Sequence, residues 1–347
     1  MSRIALLVPG PFDTVSGGYG YDRAIVAGLR AAGHEVDVLE LTGRHPLPDE
    51  AAAASARACW ARVPAGAVPV IDGLGLPAFA PIAPDLAARG TVGLIHHPTA
   101  LEPEFSGDDR ETLRRLERLL FAELARIIVT SNATADRLVA DFAVPRQKIA
   151  VVVPGTADAP RGPGSGGPTC AILSVGVITP RKGHDVLLRA LAKLPDLDWH
   201  LTIAGGLRDI DYGASLRVLA GELGIAARVT FAGEVVGETL EALWQRTDIF
   251  ALATKFEGYG MAIAEALKRG VPVAVTDGGA AAALVTPRTG VVAAVGDDAA
   301  LSRALRRMIF DPILREEMRA AAFEAGRALP DWPAQAALFA GALARSV

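Results

Sequence analysis

Two doubly wound α/β domains, one following the other, are the fold predicted by this 347-residue sequence. Three observations lead there. Short, nearly all-apolar runs alternate with helical patterns from end to end, as in parallel sheets covered on both faces by helices. The alternation stops once, at a Gly/Pro-rich stretch, and then restarts. The length suits two domains of ~100–200 residues.

Composition narrows the class. Hydrophobic residues make up 51% of the chain, enough for a core in each domain. Aromatics are only 5% and the formal net charge is -4 with no long basic block, so nucleic acid is not an expected partner. Cys59 and Cys170 are far apart and form no Cys-x-x-Cys pair; a reducing, cytoplasmic setting fits them. The mean hydropathy is +0.31. The most apolar long stretch, 63–84, is nonetheless broken by Asp72 and by several prolines and glycines. No ~20-residue apolar run exists to form a transmembrane helix. The opening apolar run, 4–8, is too short for a signal-peptide core and reads as a strand.

In the first half, strands are predicted at 3–8, 35–39, 69–71, 92–95, 127–130 and 149–152, and helices at 21–32, 109–125 and 133–142. Ser16-Gly17-Gly18-Tyr19-Gly20 begins like a dinucleotide-binding turn, but Arg23 occupies the third glycine position and the preceding loop is too long. It is expected to be a flexible loop facing a cleft between the domains. His96-His97-Pro98 closes the fourth strand, at the strand end where such sheets bind ligands. A ligand role and an ordinary structural role are both open for these histidines. No third partner lies at metal spacing, so no metal is expected. The helix near 110–126 sets Arg110, Arg114, Arg115 and Arg118 beside Leu113, Leu116, Leu119 and Leu120. That pattern allows weak peripheral contact with an anionic membrane, although the leucine spacing also fits a core stripe.

Residues 159–168, rich in Gly and Pro, are predicted to be a flexible linker between domains at 1–158 and 169–331. Beyond it, strands are predicted at 171–175, 200–204, 229–231, 249–253, 272–275 and 291–293. Helices fall at 184–193, 214–223, 238–245 and 261–268, and helical pattern fills 299–346.

Two strand-to-helix turns in this half carry chemistry. Gly176-Val177-Ile178-Thr179-Pro180-Arg181-Lys182-Gly183 places two cations at a helix start, where the dipole already favours an anion. Two cations there are electrostatically unfavourable unless an anion joins them. Glu257-Gly258-Tyr259-Gly260-Met261 opens the next such helix, and Glu265 follows two turns later. Its glycines allow a ligand close to the backbone, and its carboxylates suit sugar hydroxyls. For Glu265 the plainer alternative is a helix-surface residue.

Taken in order, these features resemble the retaining glycosyltransferases of family 4. The resemblance spans nearly the whole chain. It runs through Gly17-Gly18, Gly33-His34-Glu35-Val36, Lys182-Gly183, the Glu257…Glu265 pair, Gly270-Val271-Pro272-Val273, Asp277-Gly278-Gly279 and Thr289-Gly290. It implies a GT-B architecture, two Rossmann-like domains facing a cleft, with a last helix at 332–347 packing back on the first domain. It implies a nucleotide-sugar donor, UDP-sugar ahead of GDP-sugar, with no metal or other cofactor. Lys182 resembles the lysine on the donor diphosphate, Glu265 the carboxylate on the ribose, and Glu257 the carboxylate near the transferred sugar. Gly258, Tyr259, Gly260 and Met261 resemble the backbone donors to sugar and phosphate, and Gly176, Gly205, Gly206 and Val235 line the donor. His97 or His96 resembles the histidine touching the sugar, with Gly17 and Gly18 in the acceptor loop. Two positions depart from the family pattern. Val177 stands where arginine is usual, leaving Arg181 to replace that cation, and Ala282 stands where glutamate is frequent. These departures keep open a non-catalytic nucleotide-sugar-binding protein, and a sugar-nucleotide epimerase on the same fold is the other alternative. The acceptor, the donor base and the oligomeric state are not legible.

Overall fold

The computed structural model describes residues 2–344. The backbone divides into two units: residues 1–155 with 330–347, and residues 156–329.

In the first unit, six parallel strands run β1 (Arg3–Pro9), β2 (Glu35–Leu41), β3 (Val68–Asp72), β4 (Val92–Ile95), β5 (Arg126–Val129) and β6 (Ile149–Val151). They lie in the order β2-β1-β3-β4-β5-β6. In the second, β7 (Cys170–Val175), β8 (Trp199–Ala204), β9 (Val229–Gly233), β10 (Ile249–Leu252), β11 (Val273–Thr276) and β12 (Gly290–Ala293) lie in the order β12-β11-β10-β7-β8-β9. The predicted strands are all present. β4 and β10 are buried at every position, which is why they read as continuous apolar runs rather than alternating ones.

The first unit carries α1 (Gly17–Ala31), α2 (Glu50–Arg62), α3 (Ala83–Ala88), α4 (Gly107–Glu123) and α5 (Asn132–Phe142). The second carries α6 (His184–Ala192), α7 (Ile210–Glu222), α8 (Gly237–Gln245), α9 (Met261–Lys268), α10 (Asp298–Phe310) and α11 (Pro312–Arg327). The last helix, α12 (Trp332–Ala344), belongs to the first unit. Residues 345–347 of the predicted 332–347 helix lie outside the described residues.

Three local readings change, and one alternative left open is decided. Residues 17–20, expected to be a flexible loop, are the first turn of α1, because the helical ladder starts at Ser16, whose carbonyl accepts from Gly20 N–H. Helix α2 was not predicted. Its buried positions are Ala52, Ala56 and Cys59, small side chains that mark no stripe, and it starts on the Asp49 side chain, which accepts from Ala52 N–H. The leucine stripe of α4 faces its own unit: Leu113, Leu120 and Phe121 are buried in the core. Among the described residues, no helix is long and apolar enough to cross a membrane. Finally, the stretch predicted as a flexible linker is pinned to the second unit. Gly162 N–H donates to Arg269 O at 2.9 Å, Gly164 N–H to Gln245 O at 3.1 Å and Ser165 N–H to Asp248 Oδ1 at 3.0 Å. The buried Arg319 guanidinium donates to Gly162 O. Glycine-rich composition predicts chain freedom, but tertiary hydrogen bonds remove it.

Helix α12 packs on α1. The Tyr21 and Trp332 rings meet edge to face at 5.7 Å, and the Tyr21 hydroxyl donates to Val152 O. Gly28 permits the close approach, since a Cβ there would sit 2.5 Å from the Ala336 Cβ. Gly28→Val is therefore expected to cost about 1–3 kcal/mol of unfolding free energy through overpacking. Gly221, in α7, has open space around its missing Cβ, so Gly221→Ala is expected to gain roughly 0.5–1 kcal/mol. Equilibrium urea unfolding of both variants checks the contrast in sign.

Candidate functional site

In the second unit, β7 leads through Gly176 to a single 3₁₀ turn, Pro180–Lys182, and then to α6. Gly183 joins the turn to the helix in the left-handed region at φ 63°, and a Cβ there would strike the Ala253 carbonyl at the end of β10. This backbone approach brings Lys182 onto the loop after β10. Lys182 Nζ lies 2.6 Å from Glu257 Oε1. Arg181 Nη1 donates to Phe256 O at 2.8 Å and stands 3.7 Å from the same Glu257 oxygen. Thr254 Oγ1 adds a third contact at 3.0 Å. Here the anion that the paired cations require is supplied by the chain itself. Burial alone would push the Glu257 carboxyl up, but the charges of Lys182 and Arg181 outweigh it and hold the group below its ordinary value. His184, one residue past Gly183, is fully buried with neither ring nitrogen partnered. Burial and then the Lys182 charge push it down to about 4, so it packs as a neutral ring.

Helix α9 begins at Met261 after Gly260, which has φ 103° and gives no side-chain cap. Gly258 and Tyr259 complete the turn between Glu257 and α9. Burial pushes the Tyr259 hydroxyl up to about 12. Glu265, in the middle of α9, is half-buried, and its carboxylate makes no hydrogen bond or ion pair with any described residue. Burial raises its pKa against the opposing charge of Arg269. Gly205 and Gly206 follow β8. Gly205 packs on the Gly176 carbonyl, and the missing Cβ of Gly206 faces Glu234 Oε2, next to Val235. Apart from Met261 and Glu265, which lie in α9, the donor-side residues named from the sequence fall in the loops at the carboxyl ends of β7, β8, β9 and β10. Val177 and Ala282 are both half-buried. Thr254 is the residue sequence reading missed there; nothing marks one threonine at the end of an apolar strand.

In the first unit, His96 follows β4. The space where a Gly18 Cβ would be is 3.3 Å from His96 Cδ2. His96 Nε2 lies 3.0 Å from Asp22 Oδ1, on α1, and 3.5 Å from Asp72 Oδ2, the last residue of β3. Sequence spacing offered no third partner for the histidine pair; the fold supplies these two, and the three ligand atoms lie within 4.8 Å of one another. Among the described residues this is the set whose spacing could suit a metal ion, but 3.0 Å is a hydrogen-bond distance. Gly17 opens α1. His97, the next residue, meets Glu102 through its Nε2. The turn after the histidines, Thr99–Leu101, sits on Glu117, a buried residue of α4. Glu117 Oε1 accepts from Thr99 N–H at 2.6 Å and from its hydroxyl at 2.8 Å, and Oε2 accepts from Ala100 N–H at 3.2 Å. Burial pushes Glu117 up to about 7, against the pull of those donors.

Comparison with known proteins accords with this geometry. Residues 162–325 match the family described as glycosyl transferases group 1, and residues 23–158 match glycosyltransferase family 4. The chain belongs to the family 4 glycosyltransferases. A D-inositol 3-phosphate glycosyltransferase of Mycolicibacterium gilvum is 35% identical over 206 residues, covering 54% of this chain and 46% of that protein. The chain spans about half the length of the curated relatives it matches. In structure it is similar to sucrose-phosphate synthase of Thermosynechococcus elongatus, with TM-score 0.81 and 22% identity over 99% of this chain and 98% of the other. It is likewise similar to HepE of Anabaena in complex with UDP-glucose, with TM-score 0.79 and 18% identity over 99% of this chain and 100% of that one. The fold is GT-B.

Glu117→Gln turns one of the two acceptor oxygens into a donor facing N–H or O–H groups. It is expected to lower the stability of the first unit by about 1–3 kcal/mol, with the stability of the second unit unchanged. Hydrogen exchange of the same variant, read unit by unit, checks both halves of that expectation.

Proposed function

We propose that this family 4 protein is a retaining glycosyltransferase. In this reading it transfers a sugar from a nucleotide-diphosphate donor, UDP-sugar ahead of GDP-sugar, to a hydroxyl acceptor. One observation carries the reading: Lys182 and Arg181 converge on buried Glu257 between the starts of α6 and α9. The UDP-glucose complex of HepE supports a donor of this class.

As the donor's glycosidic bond breaks, negative charge grows on its β-phosphate oxygens. Lys182 and Arg181, held in place by Glu257, are preorganised for that charge, as are the N–H groups opening α6 and α9. The diphosphate would take over part of the bond that Lys182 makes to Glu257, leaving Glu257 to accept from a sugar hydroxyl. The Glu265 carboxylate, which makes no hydrogen bond or ion pair with a described residue, suits the vicinal hydroxyls of a ribose. Fixed cations and helix ends do here what a metal ion does in other phosphate sites, so no resident metal is needed. Attack from the face the leaving group departs, with the phosphate taking the acceptor's proton, gives retention.

Lys182→Ala is expected to lower turnover on the order of a hundredfold, by analogy with the loss of one donor to a developing anion. Activity near wild type in a folded variant would remove Lys182 from the mechanism. Calorimetric titration with UDP, GDP and ADP and their glucose esters names the donor class. Selective binding of one diphosphate, weakened roughly tenfold or more in Glu265→Ala by loss of one or two hydrogen bonds, is the expected result. No binding of any of them overturns the reading in favour of a non-catalytic relative. D-inositol 3-phosphate belongs in the acceptor screen because it is named for the Mycolicibacterium relative.

A further inference from the structure

Thr254 follows β10 and is fully buried. Its hydroxyl carries a single hydrogen and has three acceptors in reach: Glu257 Oε1 at 3.0 Å, Phe256 O at 3.0 Å and Arg181 O at 3.2 Å. The same oxygen accepts from Phe256 N–H at 3.3 Å. Of the three acceptors only Glu257 is charged, and a charge-assisted bond is roughly twice as strong as a neutral one. The hydrogen therefore goes to Glu257. Thr254 is itself braced from β11. The hydroxyl of Thr276, fully buried at the end of that strand, donates to Thr254 O at 2.5 Å. Gly278 passes so close to this carbonyl that a Cβ would lie 2.5 Å from it. Gly279, at φ 67°, lies against the Glu257 carbonyl, which a Cβ would strike. Glu257 N–H donates to Gly278 O at 3.1 Å, and Glu257 O accepts from Ala280 N–H at 2.8 Å. The turn after β11 thus fixes the main chain of Thr254 and Glu257. The Glu257 carboxylate is then set by Thr254 and by two charged groups, Lys182 and Arg181.

We infer that Thr254 is a positioning residue for the cation pair. Its hydroxyl supplies part of the compensation that buried Glu257 would otherwise draw from Lys182 and Arg181, and so leaves the Lys182 ammonium available to a phosphate oxygen. The inference rests on the nucleotide-diphosphate reading for its ligand. Burial pushes the Glu257 carboxyl up, and the Lys182 and Arg181 charges, with the bonds from Lys182 and Thr254, hold it down. Without the hydroxyl, Glu257 keeps a firmer hold on Lys182, and a diphosphate has to compete for it.

Calorimetric titration of the full chain with UDP tests this in wild type, Thr254→Val, Lys182→Ala and the double variant. Thr254→Val keeps the shape of the side chain and loses the hydroxyl. It is expected to weaken UDP binding roughly tenfold, while Thr254→Ser stays within about twofold of wild type. In the Lys182→Ala background the valine is expected to have almost no effect, because the hydroxyl acts through Lys182. A threonine that only stabilises the fold predicts the same loss in both backgrounds. Wild-type affinity in Thr254→Val, or a loss that is the same with and without Lys182, overturns the inference. Thr254→Ala gives the same reading if the valine variant does not fold. Additive losses with UDP still bound leave the donor site standing and remove Thr254 alone. If wild type binds no nucleotide, the donor reading falls. Inorganic pyrophosphate, titrated into the same proteins, then decides the role of Thr254, and no binding of that probe overturns it as well.

Discussion

Glu257 is a carboxylate taken out of water, and such a charge is tolerated only when paired and hydrogen-bonded. Much of the second unit's site follows from that constraint. Lys182, Arg181 and Thr254 all converge on one oxygen of Glu257. Lys182 and Arg181 reach it because the backbone at Gly183 lies against the Ala253 carbonyl, an approach a side chain would block. The ion pair holds two long, flexible cations in fixed positions before any ligand arrives. Their side-chain entropy is already spent in the folded chain, and a preorganised site costs less to use.

The first unit shows a related device. Two buried acids, Asp22 and Asp72, face one imidazole, and burial pushes Asp72 up to about 7. Behind it, Glu117 fixes the turn that follows the histidines by accepting from two backbone N–H groups and a hydroxyl. In both units the charged groups sit at or near the carboxyl ends of parallel strands, where the backbone ladder stops and loops can bring distant residues together.

The strands were legible because β4, β10 and their neighbours are buried on both faces, and double burial leaves an unbroken apolar run in the sequence. The strand-to-helix turns bearing Lys182 and Glu257 were legible because glycines and charges at a helix start are chemically conspicuous. Helix α2 was not, because alanine carries too little contrast to mark a buried face. Residues 159–168 misled because glycine content reports what a chain can do when nothing holds it. Asp248 and Arg319, more than eighty residues away, do hold it.

By itself the sequence determined the two-sheet plan, the family, and which residues of the second half carry charge to the strand ends. These are local properties: periodicity, turn residues and charges at fixed short spacings. Only the tertiary structure decided which charges meet. Lys182 and Glu257 are 75 positions apart, and Asp22 and His96 are 74. The energy of such a pair depends on distance and burial, and neither is written in sequence separation. The same reason hid Asp72 at the end of its strand and Glu117 within its helix. Each looks like an ordinary solvated acid until the fold removes the water around it.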